Sequence, residues 1–167
     1  FLDLGRHRET LRGVLQNHSI HPDIMEDDSS RSDQSAIEAS LEKVDRVDGY
    51  LCIISKRYGH VHPSAKQNPQ SLSLTELEFE RAEARGIPIM VMIMGSDYPV
   101  GDSQNESDED KRRKLEAFRK RAHDSECCTP TIFNDWEEFL RFAHPGVVNL
   151  AQAIERHAQG QAKTSAP

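Results

Sequence analysis

The chain has 167 residues, 36% of them hydrophobic and 29% charged, with a net charge of −7. That balance fits one globular domain with a moderate core and argues against a nucleic-acid backbone or an anionic membrane surface as partner. The longest apolar run, Ile87 to Met94, is too short to cross a bilayer, and three cysteines do not make a disulfide framework, so a reducing, cytoplasmic setting is expected.

Residues 3–17 place Leu4, Leu11, Val14 and Leu15 on one helical face, with Arg6, Arg8 and Arg12 towards water. Residues 20–25 read as a short strand running into an acidic loop that begins at Glu26. A second helix is expected over 34–46, with Ile37, Leu41 and Val44 at helical spacing. Asp48-Gly49 then turns the chain into residues 50–54, apolar on both faces like a strand inside a parallel sheet. The connection 55–72 is long enough to be expected functional or mobile.

Ser73 and Glu76 form a capping-box pattern at the start of a helix over 74–85, Gly86 stops it, and 88–94 is a second doubly buried strand. A polar loop over 97–108, expected mobile, leads to a helix over 109–123, whose basic clusters read as a solvated face. A weak strand over 130–133 follows. Asn134 or Asp135 then caps a helix bearing Trp136, Phe139 and Phe142, and a separate last helix covers 146–158. Residues 1–158 form the domain, and 159–167 read as a flexible tail or linker.

Alternating helices and strands specify an α/β doubly wound parallel sheet. Such sheets normally open on a central strand rather than a helix, so a first strand is expected before Phe1.

The glutamates of the 74–85 helix separate by angle. At about 100° per residue, Glu76, Glu80 and Glu83 share a water-facing stripe, whereas Glu78 lies about 160° from Glu76, beside Leu74 and Ala82 on the inward side. A carboxylate there is either neutralised by a partner such as Arg81 or Arg57, or kept for chemistry. Ligands of open α/β sheets bind beyond the carboxyl ends of the strands. At that rim the sequence offers Glu26, Ser55, Arg57 as a cation for a phosphate or carboxylate, Tyr58 as a stacking surface and Gly59 as a tight turn; a purely structural turn at 57–59 is the alternative. His60-x-His62 and His18-x-x-His21 lack a partner cluster of carboxylates or thiolates, so no metal site is expected. The phosphate-loop, dinucleotide-fold and nucleophile-elbow motifs are missing.

Phe1 to Leu4, Met25-Glu26, Ser40 to Asp48, Ile53 to Gly59, Ser73 to Ala82 and Lys114 to Arg119 together resemble a TIR-like domain family of unknown function. That family is found at the N-terminus of proteins with NACHT-type ATPase or WD-repeat regions, and the resemblance covers about 1–158. It implies a flavodoxin- or TIR-like fold, a nucleotide ligand, a C-terminal ATPase or repeat domain, and a homo-oligomer as the working state. A more distant similarity to TIR domains and nucleoside deoxyribosyltransferases implies that Glu78, with Ala82, Gly86 and Pro88 behind it, is a catalytic glutamate. The implied reaction is cleavage of the N-glycosidic bond of NAD or a nucleotide, with no bound cofactor. The competing expectation is a non-catalytic sensor or self-association module of a larger signalling ATPase.

Overall fold

The computed structural model describes residues 4–23, 33–64 and 66–164. Helices α1 (Gly5–Asn17) and α2 (Asp33–Arg46) precede strand β1 (Tyr50–Ile54); helix α3 (Leu74–Arg85), strand β2 (Ile89–Met94), helix α4 (Glu109–Asp124), strand β3 (Cys128–Phe133) and helix α5 (Trp136–Thr164) follow. The three strands form one parallel sheet in the order β1-β2-β3, with Tyr50 opposite Ile89 and Ile89 opposite Cys128.

Two apolar layers cover the sheet. On one face Val44 of α2, Phe79 and Ala82 of α3, and Leu115, Phe118 and Ala122 of α4 close over Cys52, Ile54, Val91 and Ile93. On the other, Leu11 and Leu15 of α1 and Phe139, Ala143, Val147 and Leu150 of α5 close over Met90, Met92 and Phe133. Because β2 is buried on both faces, all six of its residues are apolar. This is the mixed α/β, flavodoxin-like arrangement expected from the alternation of elements. Among the described residues β1 has a neighbour on one side only.

Helix α3 keeps the ends read from sequence. The Ser73 hydroxyl accepts from the Glu76 N–H at 3.2 Å, and Gly86 closes the helix at φ 65°, a left-handed conformation that favours glycine. Ser73→Ala is expected to cost about 1 kcal/mol, the usual worth of an N-cap oxygen, measured by urea denaturation.

Other elements differ from expectation. Residues 20–23 are not a strand, and 24–25 lie outside the described residues. The expected break between two C-terminal helices is not there. Pro145 sits inside α5, and the helix runs on through 159–164, where a flexible tail is expected. Proline removes one helical hydrogen bond, but Phe139, Ala143, Val147 and Leu150 continue one buried stripe across it and outweigh that loss. Gly146 belongs to the same contact: a Cβ there would lie 2.2 Å from the Met90 methyl, so glycine lets α5 approach β2.

Nor are the two long connections loose. Asn68 is buried; its Nδ2 donates to the His62 and Leu72 carbonyls and its Oδ1 accepts from the Leu72 N–H. Lys114 Nζ donates to the carbonyls of Gln70 and Ser71, both at 3.0 Å. In the 97–108 connection, the Glu106 carboxylate accepts from the Tyr58 N–H at 3.1 Å, and the Glu106 N–H donates to the Lys56 carbonyl at 3.0 Å. Asp135 is the cap of α5, accepting from the Glu138 N–H at 2.7 Å.

Candidate functional site

Glu78, in the second turn of α3, is only 9% exposed. The Ser40 hydroxyl of α2 donates to its Oε1, and the Tyr50 hydroxyl of β1 donates to its Oε2 at 2.9 Å. The carboxylate is therefore satisfied by two neutral hydroxyls on separate oxygens, not by Arg81 or Arg57. Arg81 instead forms a two-pronged pair with Asp45, at 2.6 and 2.8 Å. Burial pushes the Glu78 pKa above the ordinary carboxylate range; the two hydroxyl bonds, and the charges of Arg8 and Lys43 acting through space, pull it partly back. Burial and the adjacent carboxylate in turn push the Tyr50 phenol up, so it stays a protonated donor.

Helical angle thus gives the inward orientation of Glu78 but not its two partners. Ser40 carried a signal. It lies three residues after Ile37 and four before Val44, on the face that both bury, and a hydroxyl among buried apolar residues calls for a polar partner. Tyr50 opens its strand, so its ring and hydroxyl reach Glu78 from the amino end of β1.

Glu76 departs from the reading of a capping and water-facing acid. It is 5% exposed, and its side chain accepts from the Tyr58 hydroxyl rather than folding back on the helix start. Arg121 of α4 lies against it, Nη2 to Oε1 3.4 Å, and also pairs with Glu80 at 2.8 Å and Glu83 at 3.9 Å. The Arg121 guanidinium sits 5.5 and 5.6 Å from the ring centres of Phe79 and Phe118. The expected solvated stripe is therefore a seam between α3 and α4. Helical angle gives the direction of a side chain but not whether another helix lies there. Burial raises the Glu76 pKa, opposed by the Tyr58 bond and Arg121, and burial likewise raises the Tyr58 phenol.

The rim residues are placed differently from one another. Tyr58 is 2% exposed with its ring in the core, so it presents no open stacking surface. Arg57 is exposed, and neither Arg57 nor Tyr58 hydrogen-bonds Glu78. Ser55 is buried and serves the turn, its Oγ accepting from the Arg57 N–H at 3.2 Å. Gly59 has φ 92°, which is the reason for glycine there; a Cβ would meet nothing closer than 3.8 Å. Glu26 lies outside the described residues. Lys56, for which the sequence carries no local signal, reaches from the end of β1 to the Ser96 carbonyl beyond β2 at 2.6 Å.

An open cavity of about 370 Å³ lies at the opposite, amino ends of the strands, lined by Gly86, Ile87, Pro88, Cys127, Arg156 and His157 among others. It holds none of the rim residues. Among the described residues no group of three or more His, Cys, Asp or Glu is placed to hold a metal, and no helix is long and apolar enough to cross a membrane. Cys52, Cys127 and Cys128 are free thiols.

Residues 1–142 match the family described as a domain of unknown function, DUF4062, and the chain belongs to that family. No curated protein and no solved structure matches the chain significantly.

Proposed function

We propose that this family member is a nucleotide-processing domain in which Glu78 acts on an N-glycosidic bond, with NAD or a related nucleotide as substrate. The observation that supports the reading best is the state of Glu78 itself: desolvated, locked in place by Ser40 and Tyr50, and bonded to no cation among the described residues. A carboxylate held that way is set to meet positive charge that develops later. The resemblance of residues 73–88 to the helix carrying the catalytic glutamate of TIR domains and nucleoside deoxyribosyltransferases points the same way.

The chemistry asks little else of the protein when the leaving group is a pyridinium. The bond between the ribose C1′ and the nicotinamide nitrogen breaks with its electron pair passing to nitrogen, and neutral nicotinamide leaves without needing a proton. Positive charge grows at C1′, where Glu78 opposes it or forms a bond to it. Water then delivers its oxygen to C1′ and its proton to solvent. A neutral nucleoside would need an acid to protonate its base, so a single carboxylate favours NAD. In a larger protein the domain would be an effector in NLR-like defence or signalling, working as a homo-oligomer beside an ATPase or repeat region, in the cytoplasm.

A second reading, a non-catalytic sensor or self-association module, is favoured by one observation. Tyr58 is turned inward to Glu76 and Arg57 makes no bond to Glu78, so neither of these two rim side chains engages the buried carboxylate. Incubating the protein with NAD, ATP and nucleosides and following base release by chromatography separates the two. Nicotinamide release that disappears in Glu78→Gln supports the first reading; no release, or release that the variant retains, supports the second.

A further inference from the structure

We propose that His18 and His144 together bind a divalent transition-metal ion, pinning the carboxyl end of α1 to α5. The two residues are 126 apart in sequence, so spacing alone gives no sign of the pair. In the fold their Nε2 atoms face one another at 3.0 Å, with ring centroids 4.9 Å apart and planes at 59°. The rings therefore meet edge to edge through their nitrogens. Both side chains are exposed, so an ion can arrive from solvent without any part of the core opening.

The separation suits a shared metal. Two imidazole nitrogens each about 2.0–2.1 Å from one ion, and 3.0 Å from one another, subtend about 91–97° at it, close to the angle of neighbouring ligands in an octahedral or square-planar site. Without metal, one Nε2 carries the proton it donates to the other. With metal, that proton moves to Nδ1 of the same ring by exchange with water, and both Nε2 lone pairs point at the ion. No net proton is released. Imidazole donors select Ni²⁺, Cu²⁺ or Zn²⁺ over Mg²⁺ and Ca²⁺. Among the described residues no third His, Cys, Asp or Glu joins the pair, so water would complete the coordination.

Two features of the fold hold the donors in place. α1 and α5 are fixed against one another beneath the pair by Leu11 and Leu15 packing in the same layer as Val147 and Leu150. His18 caps the carboxyl end of α1, its N–H bonding to the Leu15 carbonyl, and the partial negative charge of a helix carboxyl end favours a bound cation. This site is independent of Glu78 and of any reaction there.

The test is titration of the protein with Ni²⁺, with Mg²⁺ as control, against His18→Ala and His144→Ala, reading affinity by calorimetry and Tm. The expected result is a Tm that rises with Ni²⁺ but not Mg²⁺. Affinity should fall by roughly tenfold or more in each variant, since even loss of a supporting contact around a metal costs 10–100-fold. Bound Cu²⁺ should show coupling to two nitrogens in its electron paramagnetic resonance spectrum. No Ni²⁺ binding by the wild type, a smaller loss in either variant, or Cu²⁺ coupled to one nitrogen would each overturn the two-histidine site.

Discussion

Replacing Glu78 with glutamine is expected, on the proposed reaction, to lower NAD turnover by about 10³-fold or more, equivalent to about 4 kcal/mol of transition-state stabilisation, with the fold retained. The amide has the size of the carboxylate. Ser40 and Tyr50 carry hydroxyls that can each donate or accept, so their bonds to the side chain can be remade around an amide oxygen and NH₂. What the substitution removes is the negative charge. The pH profile supplies a second check. In the proposed reaction Glu78 acts ionised, and burial raises its pKa, so kcat/KM should climb with pH above the ordinary carboxylate range. Ser40→Ala and Tyr50→Phe each remove a bond that favours the ionised form and should move the acid limb higher still. A profile that those two variants leave in place would assign the limb to another group. Stability follows the opposite sign. Glu78 holds its proton more tightly folded than unfolded, so wild-type stability falls as pH rises through the raised pKa, and Glu78→Gln should lack that fall.

Arg121→Met is expected to destabilise the protein by about 2–3 kcal/mol at neutral pH. Removing one partner of a sealed ion pair costs about 3–5 kcal/mol, and Arg121, whose side chain is 36% exposed, is partly screened by water. The loss comes mainly from Glu76, whose side chain is 7% exposed and would keep the Tyr58 hydroxyl bond and the more distant charge of Lys114, since Glu80 and Glu83 are more exposed and can turn to water. Methionine keeps the apolar contact over Phe79 and Phe118, so the measurement isolates charge from packing. The pH dependence is specific. Burial already raises the Glu76 pKa, and losing Arg121 raises it further. The variant's deficit should therefore be full above that pKa and shrink as pH falls through it, because protonated Glu76 needs no counter-charge. Urea denaturation at neutral and mildly acidic pH measures this; an equal deficit at both would place the cost elsewhere.

The helix around these acids shows how far sequence carries. Its start at Ser73, its stop at Gly86 and the inward turn of Glu78 follow from local chemistry: a side-chain oxygen for orphan N–H groups, a residue that tolerates positive φ, and a fixed rotation per residue. The same rotation put Glu76 towards water, and α4 occupies that water. Pro145 shows the same limit, since a local helix breaker was overruled by a buried stripe that continues past it. The pairing of His18 with His144 is illegible in sequence for the plainest reason, as nothing local relates residues 126 positions apart.

The sequence by itself determined the α/β alternation, the doubly buried β2, the ends of α3 and the singling out of Glu78, because each depends on residues within a few turns of one another. Only the tertiary structure decided what those residues meet. It gave Glu78 the hydroxyls of Ser40 and Tyr50, turned Glu76 and Tyr58 into a buried pair under Arg121, and left Arg57 at the surface. Burial and partnership depend on which element packs against a given face, and that is settled by the summed area of the whole core, not by any one segment.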